Sequence, residues 1–249
     1  MTPLLDSSKV FTAHVDAWQT HGRLFEPFGG GAAELAGWRL MASGLPYPYL
    51  NAACVTDPAV ADISAAQAWY RDRGLPWGTV VRSGSAWPHG RLLLTQRLMA
   101  LLPARSTTAA PSGLVLRSAG GDDLETVVAV DNGAFGSGAG AARAWLGPLC
   151  RFDDVEVVLA EIEGAAVATG YATTCDGYAG PSLYVGGIGV LPEARRRGVA
   201  SALLSWLVDR GFDRGARLAH LQTDSDGAAR VYARLGFAEF NGIDIYTGP

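Results

Sequence analysis

The hydrophobic positions of this chain follow two different periods, and their order along the sequence predicts a mixed α/β fold. Apolar residues three and four positions apart indicate helices, whereas short apolar runs bounded by Gly, Pro and polar residues indicate strands. Helices are predicted at residues 9–25, 59–73, 122–130, 141–149, 200–211 and 228–237. Strands are predicted at 38–42, 49–56, 77–82, 92–102, 114–118, 154–161, 165–174, 184–190, 217–223 and 240–246, with a hairpin turn at 163–164 and loops at 27–31 and 133–140.

A segment rich in Pro, Ser, Thr and Ala at residues 103–112 predicts a linker between two halves of the chain. The sequence Trp-x-x-Asp-Arg-Gly at 69–74 recurs at 206–211, each time at the end of a predicted helix that lies between two strands. A motif repeated within a repeated order of elements indicates an internal duplication. We therefore expect two domains of one kind, at residues 1–104 and 111–249.

The stretch at residues 184–200 has the pattern of a phosphate-binding turn. An apolar strand and a Leu-Pro turn are followed by three arginines and a glycine that open a helix: Arg195, Arg196, Arg197 and Gly198. The first turn of a helix offers unpaired N–H groups and partial positive charge to an anion. Glycine lets a phosphate approach the backbone, and guanidinium groups match phosphate oxygens. A solvated charge cluster is the alternative interpretation of the arginine run taken alone.

The same stretch resembles motif A of the GNAT N-acetyltransferase superfamily, Gln/Arg-x-x-Gly-x-Gly/Ala, with Arg195, Gly198 and Ala200 at the three defined positions. Residues 228–237, a short helix with a tyrosine that ends in Leu-Gly-Phe, resemble motif B of that superfamily. The resemblance covers residues 111–249. It implies a mixed, mostly antiparallel sheet flanked by helices, and with the duplication it implies two tandem GNAT-like domains.

The resemblance also implies an acetyl-CoA site and a role for each residue in it. The backbone N–H groups from Arg196 to Ser201 would hold the pyrophosphate, and Tyr232 would act as the acid that protonates the departing thiolate. A core aromatic residue is the alternative interpretation of Tyr232. Ser225 stands where many members of the superfamily have Asn, which would weaken or alter a contact to the pantetheine arm. The residues implied in cofactor binding are Ile188, Gly189, Val190, Arg195, Arg196, Arg197, Gly198, Val199, Ala200, Ser201 and Ser225.

The sequence does not identify the base that deprotonates the amine. Glu161, Asp176 and Tyr184 lie on or near strands that border the acceptor groove of this fold, but each fits a structural or solvated position better. A packed neutral histidine is the better interpretation of His220.

Composition narrows the function classes. The chain has 249 residues, of which 49% are hydrophobic and 18% charged, with a net charge of −4. These values fit a globular protein and argue against nucleic acid as a partner. We expect a cytoplasmic protein, since no leader or long apolar run is present. Three distant cysteines, Cys54, Cys150 and Cys175, are expected to be buried thiols, and neither a metal site nor a disulfide framework is expected.

Two function hypotheses follow. The first is an acetyl-CoA-dependent N-acetyltransferase, without a metal, that transfers acetyl directly to a small-molecule amine or a protein N-terminus and is a monomer or homodimer. The second is a non-catalytic acyl-CoA sensor or interaction module. The first half lacks motif A, because residues 55–62 at the equivalent turn carry Asp57 and Asp62 and no glycine or arginine. We therefore expect a degenerate first copy that does not bind the cofactor.

Overall fold

The computed structural model describes residues 5–104 and 110–247 and shows six α-helices and eleven strands in those ranges. The centre of the predicted linker, residues 105–109, lies outside the described residues. The helices are α1 Ser7–Phe25, α2 Ile63–Arg71, α3 Leu124–Phe135, α4 Ala139–Leu149, α5 Val199–Asp213 and α6 Asp226–Arg234. The strands are β1 Gly31–Leu35, β2 Trp38–Ala42, β3 Ala52–Val55, β4 Gly78–Arg82, β5 Leu92–Leu101, β6 Leu114–Ser118, β7 Val155–Ile162, β8 Ala165–Gly177, β9 Gly180–Val190, β10 Ala219–Thr223 and β11 Ala238–Thr247.

All eleven strands form one mixed, mostly antiparallel sheet in the order β1-β2-β3-β4-β11-β5-β10-β9-β8-β7-β6. Among the described strands, two neighbouring pairs are parallel, β3 with β4 and β9 with β10. Each parallel pair is joined by a crossover helix, α2 in the first half and α5 in the second. The predicted fold class is confirmed.

The two halves exchange strands at the centre of the sheet. Strand β5 of the first half pairs with β10 and β11, and strand β11 of the second half pairs with β4 and β5. Each half therefore has a strand of the other half inserted between its own last two strands. The boundary at residues 104 and 111 remains a prediction, and the strands on its two sides are interleaved.

The repeated Trp-x-x-Asp-Arg-Gly motif makes the same arginine–tryptophan contact in both halves, at the end of α2 and inside α5. The guanidinium carbon of Arg73 lies 3.8 Å from the ring centroid of Trp69, and that of Arg210 lies 4.5 Å from the ring of Trp206. In each case a cation–π contact holds an arginine against the tryptophan four residues earlier. The shared contact supports the internal duplication.

Helices cover both faces of the sheet, and alternate strand residues supply the two cores. On strand β7, Val158 packs against α5 and its neighbours, whereas Val157 packs in the core beneath α3 and α4. Helix α1 extends across both halves, because Val10 packs in a core with residues of β3, β4, β5 and β11, whereas Phe25 belongs to the core around α3 and α4. Within the described residues, no helix is both long enough and apolar enough to cross a membrane.

Several predicted boundaries are wrong, among them those of the two predicted loops at 27–31 and 133–140. Residues 31–35, of which 31 was assigned to a loop, form the edge strand β1. Helix α3 continues past residue 130 to Phe135, so the predicted loop at 133–140 begins only at Gly136, whose φ of 70° ends the helix. Small residues explain both errors, since Ala and Gly give weak periodicity. The extension of α3 matters because it carries Asp131 and Phe135 to the site.

Candidate active site

The parallel strands β9 and β10 separate and open a cleft between them. Their last paired residues are Tyr184 and His220, beyond which β9 continues to Val190 and β10 stays paired with β5. We call the resulting space of about 480 Å³ the main cleft. It is lined by Gln96, Ala134, Phe135, Gly187, Ile188, Gly189, Val190, Arg195, Gln222, Thr223, Asp224, Ser225, Ala228 and Tyr232.

One end of the main cleft meets the start of helix α5. Gly198 is the N-cap of this helix with a φ of 82°, and within the described residues no side chain caps the helix. The first-turn N–H groups of α5 therefore remain free to bind an anion. A pocket of about 200 Å³ at this point, the phosphate-end pocket, is lined by Val190, Ala194, Arg195, Arg196, Gly198, Val199, Ala200, Ser201, Val231 and Arg234.

The three motif arginines have different surroundings. The side chain of Arg195 donates hydrogen bonds to the carbonyl oxygens of Val190 (3.0 Å) and Ala134 (3.1 Å), so it fixes the turn against β9 and α3. Arg196 has a φ of 61°, an uncommon backbone conformation for a residue with a side chain. Arg197 is exposed and does not belong to the described lining of either space.

Helix α6 and its N-cap supply Ser225, Ala228 and Tyr232 to the main cleft. Ser225 is the N-cap of α6 and its Oγ accepts a hydrogen bond from the N–H of Ala228 at 3.3 Å. Tyr232 is 9% exposed and also packs in the core beside Phe237. Burial raises the pKa of Tyr232 to about 12, and nearby Tyr184 adds to the increase. The phenol therefore keeps its proton at neutral pH.

A second space, the side pocket, adjoins the main cleft at Phe135 and Gly187, which line both. Gly187 lies where β8 and β9 shift register and has a φ of 62°. Two first-half residues, Tyr49 and Leu50, form part of its wall. The side pocket has a volume of about 200 Å³ and is lined by Tyr49, Leu50, Asp131, Phe135, Ser137, Ala141, Ala142, Trp145, Leu146, Tyr171 and Gly187.

Asp131 is the one charged side chain among the described residues that line the side pocket. It is 9% exposed, and burial raises the pKa of its carboxyl group to about 6. Within residues 5–104 and 110–247, no group donates a hydrogen bond or forms an ion pair to it. A partly buried carboxylate without a partner can accept an ammonium group or a proton.

The base candidates of the sequence analysis lie elsewhere. Glu161 pairs with Arg117 at 2.9 Å, and Asp176 is exposed near the β8–β9 turn. Tyr184 is buried and its hydroxyl accepts a hydrogen bond from Gln222. His220 is fully buried, and burial lowers its pKa to about 3, which confirms a packed neutral histidine.

The equivalent turn of the first half is built differently. Helix α2 is capped by Asp62, whose carboxylate accepts a hydrogen bond from the N–H of Ser64 at 2.9 Å. A carboxylate of the protein thus occupies the position at which α5 offers free N–H groups. The ring of Trp87 lies at the end of the parallel pair β3–β4, 5.5 Å from the ring of Trp38. These features disfavour a pyrophosphate at the first-half turn.

The separated parallel pair and the uncapped helix lie in one segment of the chain, and that segment matches a known protein family. Residues 125–237 match the model of the acetyltransferase (GNAT) family. The chain therefore carries a GNAT-family acetyltransferase domain in its second half.

Solved structures are similar in fold over most of the chain. A GCN5-related N-acetyltransferase from Kribbella flavida is similar with a TM-score of 0.70 and 20% identity over 95% of each chain. A putative GNAT-family acetyltransferase from Novosphingobium aromaticivorans DSM 12444 has a TM-score of 0.60 and 16% identity over 92% of this chain and 95% of its own. A tandem GNAT protein from the clavulanic acid biosynthesis pathway has a TM-score of 0.54 and 16% identity over 84% of this chain and 77% of its own.

Sequence reasoning missed Asp131, Gln96 and Tyr49, among other residues that line these spaces. Asp131 had a usable signal, because it lies on the same helical face as Val127, Val128 and Phe135, where a lone carboxylate is unusual. Gln96 and Tyr49 had none, since only the strand exchange and the packing of the two halves bring them to the site.

Proposed function

We propose that this protein is an acetyl-CoA-dependent N-acetyltransferase that transfers acetyl directly to a primary amine in a ternary complex. The observation that carries the proposal is a row of three adjoining spaces. The main cleft shares Val190 and Arg195 with the phosphate-end pocket and shares Phe135 and Gly187 with the side pocket. An extended thioester cofactor and an amine acceptor can thus meet at Gly187.

The described residues fit acetyl-CoA. The uncapped first turn of α5, from Gly198 to Ser201, suits a pyrophosphate, and the side chain of Arg196 adds positive charge beside it. Strand β9, which lacks a partner on the cleft side beyond Tyr184 among the described strands, offers the backbone of residues 188–190 to the pantetheine arm. A backbone N–H there that binds the thioester carbonyl would contribute about 2.7–4 kcal/mol to transition-state stabilisation.

Tyr232 is the proposed acid. Its pKa of about 12 keeps the hydroxyl protonated, and its position in the lining of the main cleft gives it access to a thiolate. Acetyl-CoA supplies an activated acetyl group, and the protein supplies the binding site, the carbonyl-binding N–H and this proton.

The test compares one substitution at both ends of helix α5. Gly198→Glu places a carboxylate at the N-cap of α5, at a position whose positive φ disfavours any side chain. Gly215→Glu is the matched control, because it places the same side chain at a glycine of positive φ just after the C-cap of α5. Calorimetric titration with acetyl-CoA should show binding by the wild type and by Gly215→Glu, and loss of at least about tenfold in affinity for Gly198→Glu. Equal affinities of the two variants, or no binding by the wild type, would refute the cofactor site.

Thiol release in the presence of amines separates the enzyme from the sensor. An enzyme releases free thiol from acetyl-CoA in proportion to the amide formed. A protein that binds acetyl-CoA but releases no thiol with any primary amine would instead be the acyl-CoA sensor.

Other features remain proposals that rest on the same site. Residues 1–104 would form a degenerate copy that walls the acceptor site, as Tyr49 and Leu50 suggest. Because both copies are in one chain, a monomer can contain the complete site, although a homodimer is also compatible with it. A cytoplasmic location is kept as a prediction.

A further inference from the structure

The side pocket holds a combination of groups that indicates which acceptor it binds. Four aromatic side chains line it: Tyr49, Phe135, Trp145 and Tyr171. Asp131 is its one charged group within the described part of the chain. Its volume of about 200 Å³ is below the usual range of about 300–1,000 Å³ for pockets that hold drug-sized ligands. These features match a small molecule with one positive charge and an apolar body.

Two of the four aromatic side chains, Trp145 and Tyr171, are held in place by packing and a hydrogen bond. The ring of Trp145 stacks on Phe25 of α1, with centroids 4.9 Å apart, and its Nε1 donates a hydrogen bond to the Tyr171 hydroxyl at 3.2 Å. Tyr171 in turn lies against Gly187, where a side chain would clash, since a Cβ atom there would approach its ring to 3.0 Å. This side of the pocket is therefore preformed next to the point where the pocket joins the main cleft.

We propose that the side pocket binds a small primary amine with an apolar, preferably aromatic, body, and that Asp131 pairs with its ammonium group and accepts the proton that the amine loses before attack. This inference rests on the proposed acetyltransferase function and deepens it. A polycationic acceptor would need several carboxylates, and the described lining offers one.

The proposed step conserves atoms and charge. One ammonium proton passes to the Asp131 carboxylate and then to solvent, and the neutral amine forms the C–N bond to the acetyl carbonyl carbon. The C–S bond breaks with its electron pair on sulfur, which receives a proton from Tyr232, while the second amine proton leaves and restores the phenol. The net products are the amide, free CoA thiol and one proton in solution. A carboxyl group whose pKa lies near 6 is well matched to this exchange at neutral pH.

The first test compares Asp131→Asn with Glu125→Gln, which removes a charge from an exposed position on the same helix, where Glu125 pairs with Arg143. Phenethylamine is titrated calorimetrically into protein saturated with CoA, so that binding is measured without turnover. Asp131→Asn should weaken phenethylamine binding at least about tenfold and lower kcat/KM for its acetylation about 10²–10³-fold. Asp131→Asn should also remove the acidic limb of the pH profile near pH 6 and leave the affinity for acetyl-CoA unchanged. Glu125→Gln should leave phenethylamine binding, kcat/KM and the pH profile unchanged.

The second test changes Tyr49, which belongs to the first half and lines the side pocket. Because Tyr49 is 53% exposed, its replacement should not disturb the hydrophobic core. Tyr49→Ala should raise KM for phenethylamine several-fold and leave KM for methylamine unchanged. Phenethylamine should also be a better acceptor than spermidine, an aminoglycoside or a tripeptide N-terminus.

The outcomes separate the two proposals. No acetyl-CoA binding, or no thiol release with any amine, refutes the proposed function. Thiol release that is unaffected by Asp131→Asn refutes the role of Asp131 and leaves the acetyltransferase intact. Preference for spermidine, the aminoglycoside or the tripeptide over phenethylamine refutes the substrate class.

Discussion

Loss of one buried ion pair should destabilise the junction between the two halves. Asp16 on α1 pairs with Arg39 on β2, and its second carboxylate oxygen accepts a hydrogen bond from the N–H of Ala179 in the β8–β9 turn at 2.8 Å. The Asp16 side chain is 1% exposed and that of Arg39 is 9% exposed. Asp16→Ala therefore removes the main partner of the buried Arg39 guanidinium and leaves the N–H of Ala179 without its hydrogen-bond acceptor.

Breaking a buried pair from one side costs about 3–5 kcal/mol. Arg39 keeps partial compensation from Glu34, 3.3 Å away, and from the ring of Tyr178, so we expect about 3 kcal/mol. For a chain of this size that loss corresponds to a decrease in Tm of at least about 6 °C. The assay is urea unfolding followed by circular dichroism and tryptophan fluorescence.

Two variants test the physical reason for this loss. Asp72→Ala removes one partner of the exposed Arg71–Asp72 pair, in which both side chains are more than 70% exposed, and should change stability by less than about 0.5 kcal/mol. The double variant Asp16→Ala/Arg39→Met should be more stable than Asp16→Ala alone, because it leaves no buried charge at residue 39 without its partner. A loss below about 1 kcal/mol for Asp16→Ala, or a double variant less stable than the single one, would refute the reasoning.

Three more predictions follow from buried titratable groups. Burial lowers the pKa of His21 and His220 to about 3, so between about pH 6.5 and 3 only the unfolded chain binds protons at these two residues. Each histidine should therefore lower the free energy of unfolding by about 2 kcal/mol at pH 5 relative to pH 8. Equal urea midpoints at the two pH values would contradict this prediction. Tyr232→Phe should lower kcat about 10²-fold in the thiol-release assay with calorimetric acetyl-CoA affinity unchanged, whereas an unchanged kcat would show a core role alone. The thiol of Cys54 is buried and its pKa is raised to about 12, so native protein should react with a disulfide reagent at the half-buried Cys150 and not at Cys54, as peptide mapping would check.

Much of the fold was predictable because its signals are local. The strong periodicity of α5 and the hairpin turn at Glu163 and Gly164, both with positive φ, depend on residues close in sequence. The turn at Gly198 was predictable for the same reason, since its chemistry is contained in four consecutive residues. The identity of the catalytic residues remains a prediction.

The parts that the sequence could not predict depend on tertiary pairing. The residue patterns of β5 and β11 are typical of antiparallel strands. Neither pattern indicates that β5 lies between β10 and β11. Gln96 therefore reaches the main cleft from the first half without a local signal. Asp131 was missed for a different reason, because a predicted helix end at residue 130 removed it from the helix that carries it.

The exchange of β5 and β11 makes this chain comparable to a domain-swapped dimer whose protomers have been joined covalently. Each copy is completed by a strand that the other copy supplies, so in neither half do all of its own strands lie side by side. We expect separately expressed halves to be insoluble alone but to associate when produced together. The two copies of such a joined pair need not be identical, unlike the protomers of a homodimer. One copy can keep an uncapped helix N-terminus for an anion, while the other caps the equivalent helix with Asp62 and contributes Tyr49 to the wall of the side pocket.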